Sequence, residues 1–294
     1  MLGLDFVRAN RAAVERAIRD KGVELDLDAL LTLDAEVRAA KTEIDGLRAE
    51  RNAVSAKFKN ATADEKAELG RQAKEAGARA SALEGELSGK EAELTALMLK
   101  LPGIPYDGAP VGPDESFNAV IRTVGEPPKF DFEPLDHVAL IEKNDWGDLS
   151  RVTQVSGSRT YCLKGRLALL ETKLMGWALG KIADAGFTPI TVPAIAREQA
   201  FLNQGQFPGH RDETYALPND DLWLAGTAEV VLTSLHAGEI IEADKLPILY
   251  AGFSPCFRRE AGSAGKDVRG LLRVHQFVKV EQYVICEADD AQSA

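Results

Sequence analysis

The sequence predicts an α+β protein, in which a long antiparallel two-helix coiled-coil arm precedes an antiparallel sheet flanked by helices. Three observations support this fold class. Apolar residues repeat at heptad spacing over residues 30–101, prolines and glycines crowd residues 102–135, and apolar and polar residues alternate over residues 272–286. We therefore expect two domains, a helical arm over residues 1–104 and a sheet domain over residues 105–294.

The arm is predicted from two apolar seams. The first seam has two heptad rows, with Leu30, Val37, Ile44 and Phe58 on one and Leu33, Ala40, Leu47 and Val54 on the other. The pattern breaks just before Thr62, which can cap a second helix with Glu65 three residues later, the spacing of a capping box. A second seam follows over residues 69–101, so the two helices lie antiparallel. Residues 1–27 predict a short helix at the base of the arm.

The charge of the arm indicates a partner, although the chain as a whole is acidic. A net charge of -11 over 294 residues argues against nucleic acid, because phosphates are bound by cationic side chains. Between Arg48 and Arg79, however, eight bases and five acids give a local charge of +3. We interpret this stretch as an RNA-binding surface. A solvated helix surface, or a coiled coil between two chains used only for dimerisation, is the alternative.

The composition predicts a cytosolic protein without a disulfide framework. No apolar run approaches the roughly 18 residues of a membrane span, and the N-terminal residues lack the apolar core of a signal peptide. Cys162, Cys256 and Cys286 lie far apart and form no CxxC pair, so they predict neither disulfides nor a zinc site.

Between the linker and the end of the chain, three further elements are predicted. Residues 167–185 predict a helix that ends at a glycine. Residues 187–195 predict a strand interrupted by prolines, which belongs at a sheet edge or a subunit boundary because proline cannot donate to a ladder. Residues 230–236 predict a second helix.

The last part of the sequence predicts an antiparallel hairpin with one polar face. Residues 253–260 form its first strand, residues 261–270 a loop with three glycines, and residues 272–286 its returning strand. Side chains alternate across a strand, so Arg258 and Glu260 share a face. The charged and aromatic face of the returning strand carries Arg273, His275, Phe277, Lys279, Glu281 and Tyr283, and the other face is largely valine. A polar face beside a loop with cations suits a phosphorylated ligand, whereas a solvated face gives the same alternation.

The hairpin resembles motif 2 of the class II aminoacyl-tRNA synthetases, in the form found in the seryl-tRNA synthetase family. The resemblance lies in the runs FRRE at 257–260 and RGLLRVHQF at 269–277. Residues 186–193 resemble motif 1, which implies a homodimer. The triplet Thr-Ala-Glu at 227–229 resembles the serine-recognition triplet of the family, and residues 30–101 are similar to its tRNA-binding arm.

This resemblance implies a serine-tRNA ligase that uses ATP and Mg²⁺ to form seryl-adenylate and then charges tRNA(Ser). It leaves open whether tRNA(Sec) is also charged, and it implies no DNA partner. A non-catalytic tRNA-binding or dimeric scaffold of the same fold is the alternative. Motif 3 and the family's magnesium-binding glutamate have no counterpart in these 294 residues. We therefore expect these residues alone to be inactive or poorly folded, without a protein-only metal site.

The resemblance also implies roles for individual residues. Arg258 is expected to bind the α-phosphate of ATP and to stabilise the charge that develops in the reaction. The expected ATP-binding residues are Arg258, Arg259, Glu260, Val274 and Phe277. Of these, Glu260 accepts from the adenine amino group and Phe277 stacks on the ring. The expected serine-binding residues are Thr227, Ala228, Glu229 and Glu281. The bases expected to contact tRNA are Arg48, Arg51, Lys57, Lys59, Arg71, Lys74, Arg79, Lys266 and Arg269.

Simpler structural roles remain open for three of these residues. Arg258 could form only a cross-strand salt bridge, and Phe277 could only fill the core. Glu229 could serve only as a favourable charge at a helix N-terminus.

Overall fold

The structure, a computed structural model, describes residues 2–58, 61–261 and 269–290. The chain divides into two units, Met1–Val124 and Gly125–Ala294. Long helices form the first unit, and helices with a mixed sheet form the second, so the α+β fold class is confirmed. Within the described ranges, no helix combines the length and the apolar character needed to cross a membrane.

The first unit is built on the helices α3 (Leu27–Lys57) and α4 (Ala63–Lys100), which form the predicted arm. At 1.5 Å per residue, α4 is about 57 Å long. The predicted capping box is confirmed, because the Thr62 N–H donates to the Glu65 carboxylate over 2.8 Å and the Thr62 hydroxyl accepts from the Glu65 N–H. Phe58 was expected on the seam but is 40% exposed, because it lies beyond the end of α3.

The base of the arm contains two short helices, α1 (Leu4–Ala9) and α2 (Arg11–Asp20), where the sequence predicted one. The helix is interrupted at Asn10, whose side-chain amide donates back to the Phe6 carbonyl over 3.0 Å. Asparagine favours such local bonds over helix continuation. The apolar core of the base consists of Val7, Val14, Leu27, Leu30, Leu33, Val37, Leu94, Met98 and Leu101.

Charged groups also fix the arm. The Asp34 carboxylate is only 3% exposed and accepts from Arg8 over 2.8 Å and from Arg38 over 3.1 Å, as a buried carboxylate requires. Further along, ion pairs cross between the two long helices. These pairs are Glu36–Lys90, Lys41–Glu91, Glu43–Arg79 and Arg48–Glu84. Residues nearer the start of α3 pair with residues nearer the end of α4, so the helices are antiparallel, as predicted.

In its described residues, the second unit contains two sheets of three strands each. The larger has the order β1 (Thr188–Thr191), β5 (Ile248–Phe257) and β6 (Gln276–Ile285). The smaller has the order β2 (Ile195–Ala196), β4 (Leu222–Leu224) and β3 (Ala216–Leu217). β5 and β6 form the predicted antiparallel hairpin, but β1 is parallel to β5, so the larger sheet is mixed. Alternation within a strand gives its faces, not its direction, which is why the parallel pair was not predicted.

The strand bounds differ from those predicted. β5 ends at Phe257 rather than at residue 260, because Glu260 has a φ of 52°, which is outside the extended region. β6 begins at Gln276 rather than at residue 272. The predicted strand 187–195 is divided between the two sheets, and its first part, β1, lies at a sheet edge, as its prolines predicted.

Five α-helices complete the part of the second unit that the structure describes. They are α5 (His137–Lys143), α6 (Leu149–Ser156), α7 (Gly165–Asp184), α8 (Glu198–Gln204) and α9 (Glu229–Leu235). α7 and α9 correspond to the two predicted helices, within two residues at each end. Residues 102–135, all of which the structure describes, contain one short 3₁₀ turn, Glu115–Phe117, and no strand, as predicted for a linker.

Candidate active site

The hairpin of β5 and β6 gathers the predicted polar side chains on one face. Opposed residues of an antiparallel pair share a face, and here Ser254 opposes Lys279 and Gly252 opposes Glu281. Beyond the end of β5, the Arg258 N–H donates to the carbonyl of His275 over 2.9 Å, which continues the ladder by one bond. Arg258 therefore lies on the same face as Lys279 and Glu281.

One cavity on this face, the Glu229 cavity, has a volume of about 420 Å³. It is lined by Gln204, Gly205, Gln206, His210, Glu213, Gly226, Thr227, Glu229, Arg258 and Lys279. Two of the expected serine-binding residues, Thr227 and Glu229, thus line a common space. The size and the polar lining of this space suit a small zwitterion.

Three side chains form a closed network at the wall of the Glu229 cavity. The Lys279 ammonium donates to the Thr227 hydroxyl and to the Glu281 carboxylate, each over 2.7 Å. Because an ammonium can only donate, the Thr227 hydroxyl donates in turn to Glu281, over 2.6 Å. Glu281 itself is not among the lining residues, and its side chain is 17% exposed. Its expected contact with serine stays a prediction.

The network also sets the charge of Glu281. Burial by itself raises the pKa of this carboxyl, but the hydrogen bonds from Lys279 and Thr227 outweigh the burial, and the net pKa lies below its ordinary value. Glu281 is therefore a carboxylate at neutral pH.

Ala228, also expected to bind serine, lies beneath the cavity rather than in it. It is 1% exposed, and a methyl group built on Gly252 would lie only 3.1 Å from its Cβ and 2.9 Å from a methyl of Leu232. The glycine thus lets α9 lie directly on β5. This close approach brings Thr227 within hydrogen-bond distance of Glu281.

A second cavity, the Glu260 cavity, has a volume of about 450 Å³. It is lined by Arg258, Glu260, Leu271, Leu272, Arg273, Val274 and Phe277, a set that includes four of the five expected ATP-binding residues. Glu260 forms an ion pair with Arg273. The Arg258 guanidinium lies 5.2 Å from the centre of the Phe277 ring and donates to the Gly226 carbonyl over 3.4 Å. Of the residues that the structure describes, only Arg258 lines both cavities.

Arg259 lies apart from the other expected ATP-binding residues, and its contact with ATP stays a prediction. Its guanidinium donates to the Asp212 carbonyl over 3.1 Å, and its N–H donates to the Glu213 carbonyl over 2.9 Å. It lines neither cavity. Adjacent residues of an extended chain point to opposite sides, so Arg259 faces away from the side chain of Arg258.

The rear wall of the Glu260 cavity is tied to α5. The Leu271 N–H donates to Nε2 of His137 over 3.1 Å, and Arg269 pairs with Asp136 at 3.2 Å. Gly270, between them, has a φ of +75° and leaves no room for a side chain, because an added Cβ would lie 2.0 Å from His137 Nε2. Arg269, expected to contact tRNA, is thus engaged at the base of the motif 2 loop.

The expected tRNA-binding bases of the arm fall into two groups. Arg48, Arg71 and Arg79 pair with glutamates. Arg51, Lys57 and Lys74 have no ion pair within the described part of the arm. The other two expected bases, Lys59 and Lys266, lie outside the described residues.

The described residues do not provide a metal cage. Among residues 2–58, 61–261 and 269–290, no group of three His, Cys, Asp or Glu side chains is placed to hold an ion. The carboxylate of the Glu260 cavity is already paired with Arg273. The side chains present therefore do not by themselves fit a resident Mg²⁺.

Several lining residues were not predicted. Lys279 was recognised only as part of the polar face, although its spacing of two residues from Glu281 indicates that both point the same way. His210 and Glu213 reach the Glu229 cavity from a loop whose sequence has no periodic pattern. Only the folded chain shows that this loop is part of the site.

Family models match both ends of the chain. Residues 1–105 match the seryl-tRNA synthetase N-terminal domain, and residues 214–294 match the tRNA synthetase class II core domain (G, H, P, S and T).

Curated relatives and solved structures match nearly the whole chain. The serine–tRNA ligase of Deinococcus radiodurans is 48% identical over 292 residues, which cover 99% of this chain and 69% of the relative. That of Mycobacterium tuberculosis is 42% identical and covers 99% and 70%. The chain thus spans about 70% of the length of these relatives.

Two solved structures share the fold. The crystal structure of seryl-tRNA synthetase from Pyrococcus horikoshii complexed with ATP has a TM-score of 0.89 at 34% identity and covers 100% of this chain and 71% of that one. The cytoplasmic serine-tRNA ligase from Naegleria fowleri in complex with AMP has a TM-score of 0.80 at 27% identity and covers 98% and 67%.

Proposed function

The chain belongs to the seryl-tRNA synthetase family, and from this membership and the geometry of the site we propose that it activates L-serine with ATP and transfers the seryl group to tRNA(Ser). One observation carries the proposal. Arg258 lines both the Glu229 cavity, which suits a small zwitterion, and the Glu260 cavity, which holds most of the expected nucleotide-binding residues. An amino acid and a nucleotide in these two spaces would meet at its guanidinium.

The proposed chemistry has two steps. The serine carboxylate attacks the α-phosphorus of ATP in line, and pyrophosphate leaves; a terminal hydroxyl of tRNA then attacks the carbonyl carbon, and AMP leaves. Arg258 stabilises the negative charge that grows on the α-phosphate in the first step. Mg²⁺ belongs to this proposal as a counter-ion bound mainly by the ATP phosphates, because it usually keeps several waters and needs few protein ligands.

The binding partners in the proposal follow from the two units. Residues 1–104 bind tRNA through the arm, and residues 105–294 carry the reaction. α7 leaves Leu169, Leu170, Leu174 and Trp177 between 49% and 62% exposed, and β1 is an edge strand, which supports a homodimer through this region. Charging of tRNA(Sec) would follow only if that tRNA also binds the two helices of the arm.

The test is serine-dependent exchange of pyrophosphate into ATP, in the full protein that contains these 294 residues. Serine should support exchange, and alanine should be about 10⁴-fold poorer in kcat/KM, because a site that hydrogen-bonds a hydroxyl rejects the analogue that lacks it. Equal exchange with alanine would contradict the serine assignment. Absence of exchange from a folded protein would instead favour the non-catalytic scaffold.

Replacing Gly270 with alanine should weaken nucleotide binding. The new methyl cannot fit beside His137, and a φ of +75° is strained for alanine. The hydrogen bond between Leu271 and His137 should break, and the wall of the Glu260 cavity should shift. We expect the KM for ATP in the exchange assay to rise roughly 10-fold, for a cost of about 1–3 kcal/mol, with the KM for serine little changed.

Gly238→Ala is the matched control for this substitution. Gly238 has a similar φ of +81°, but nothing lies within 4 Å of an added Cβ. If both variants raise the KM for ATP equally, backbone strain alone explains the effect and the contact with His137 does not matter.

A further inference from the structure

His137, the first residue of α5, supports the wall of the Glu260 cavity from outside the cavity. The Leu271 N–H donates to Nε2 of His137 over 3.1 Å, and Leu271 begins the stretch 271–274, which lines the cavity. His137 is half-buried and is not itself a lining residue. It therefore acts on the cavity through the backbone of Leu271 rather than by touching what the cavity holds.

The stretch 271–274 lies outside any strand, so its position depends on the bonds at its two ends. At the far end, the His275 N–H donates to the Arg159 carbonyl over 3.0 Å. At the near end, the Leu271 N–H donates to His137. Loss of the near bond would leave the first half of the wall without this anchor, while the far end stays in place.

The helix that carries His137 is itself firmly held. Val138 and Ile141 on α5 are only 5% and 3% exposed. The Asp136 carboxylate caps the helix and accepts from the Ala139 N–H over 2.8 Å. The imidazole of His137 is therefore presented to the wall from a fixed element.

The bond to Leu271 requires one protonation state of His137. A backbone N–H can only donate, so Nε2 must offer a lone pair, and the imidazole must be neutral with its proton on Nδ1. In the imidazolium both ring nitrogens carry protons, and Nε2–H would face the Leu271 N–H, donor against donor. Histidine is the side chain that ordinarily changes charge between about pH 5 and about pH 8.

The charged groups around His137 keep their charge over that range. On α5 itself, the hydrogen bond from the Ala139 N–H holds the pKa of Asp136 below its ordinary value, so Asp136 is a carboxylate. On the segment packed against α5, Arg269 pairs with Asp136 at 3.2 Å, and an arginine stays protonated. Arg273, further along this segment, pairs with Glu260.

We propose that His137 is a positioning residue for the nucleotide, which as a neutral imidazole holds the wall of the Glu260 cavity and on protonation releases it. This inference rests on the proposed function, in which the Glu260 cavity binds ATP. ATP binding then weakens as the pH falls, through a side chain that does not contact ATP.

The test measures the KM for ATP and the KM for serine in pyrophosphate exchange at about pH 8 and about pH 5.5, on either side of the histidine titration. In the unmodified protein the KM for ATP should rise roughly 3- to 10-fold at the lower pH, the usual effect of losing one hydrogen bond between neutral groups. The KM for serine should change much less.

Two substitutions of His137 separate the hydrogen bond from its titration. In His137→Gln, the side-chain amide oxygen can accept from Leu271 at about the position of Nε2, and an amide does not titrate. This variant should keep the low KM for ATP at both pH values. His137→Ala has no acceptor and should show the raised KM at both. ATP itself titrates in this range, but equally for every variant, so the variants are compared at the same pH.

His236→Gln is the matched control. His236 bonds to Glu239 over 2.8 Å and to Tyr250 over 2.9 Å, and it lines neither cavity. This variant should keep the pH dependence of the unmodified protein. Thermal unfolding at both pH values shows whether each variant is folded, and the His137→Gln result stands even if His137→Ala fails to fold.

Two results would overturn the role of His137. One is a rise in the KM for ATP of His137→Gln as large as that of the unmodified protein; the other is a folded His137→Ala with the low KM at both pH values. A lack of serine-dependent exchange in the unmodified protein at pH 8 would instead reject the proposed function itself, so the two failures are distinguishable.

Discussion

Replacing Arg258 with alanine should reduce serine-dependent pyrophosphate exchange roughly 10²- to 10³-fold, the usual effect of removing one group that stabilises transition-state charge. The reduction should fall mainly on kcat, because the charge on the α-phosphate grows during the attack rather than on binding. Arg258 is the only residue common to the Glu229 and Glu260 cavities, so no other described side chain is placed to substitute for it.

The matched control for this substitution is Arg151→Ala. Arg151 is an 82% exposed arginine of the same unit, paired with Asp148 and outside both cavities. It should exchange like the unmodified protein. If Arg258→Ala is folded and retains full exchange, the two cavities do not share a reaction centre, and the proposed chemistry is wrong.

Deleting residues 36–96 should abolish tRNA charging while adenylate formation continues. The two ends of the deletion lie side by side, because Glu36 pairs with Lys90 and Lys41 with Glu91 across the antiparallel helices. A short glycine turn can therefore close the chain. Much of the basal core remains, including Val7, Leu30 and Met98. We expect charging to fall on the order of 10³-fold, as when several phosphate contacts are lost together.

A second comparison separates the effect of the length of the arm from the effect of its positive charge. Changing Arg51, Lys57 and Lys74 to glutamine removes bases that have no ion pair within the described arm. Changing Arg48, Arg71 and Arg79 removes bases already neutralised by glutamates. The first triple variant should charge tRNA more weakly and with a shallower salt dependence than the second.

Equal charging by the protein with and without residues 36–96 would show that the arm does not bind tRNA.

The arm was predictable because its evidence is local. A heptad repeat specifies a buried seam. Because the break before Thr62 is short, the second helix must pack antiparallel to the first. Leu30, Val37 and Ile44 are accordingly all less than 5% exposed. Buried Asp34 was not predictable, because nothing in the sequence shows that Arg8, 26 residues away, folds back to pair with it.

The site was predictable in part, for a related reason. Alternation along the returning strand places Phe277, Lys279 and Glu281 on one face, as the structure has them. The depth at which each lies depends on α9 and on the loop that carries Glu213, which are distant in sequence. That is why the hydrogen bonds from Lys279 and Thr227 to Glu281 could not be predicted from the sequence.

Gly252 affects the geometry of the amino-acid site without lining it. It touches neither cavity, yet the missing side chain sets the spacing between α9 and β5, and with it the distance from Thr227 to Glu281. A substitution at a position that does not contact the substrate can therefore change the substrate preference. Directed evolution of this site for other amino acids should sample residue 252 alongside the lining residues, since one methyl there loosens the wall without altering its chemical groups.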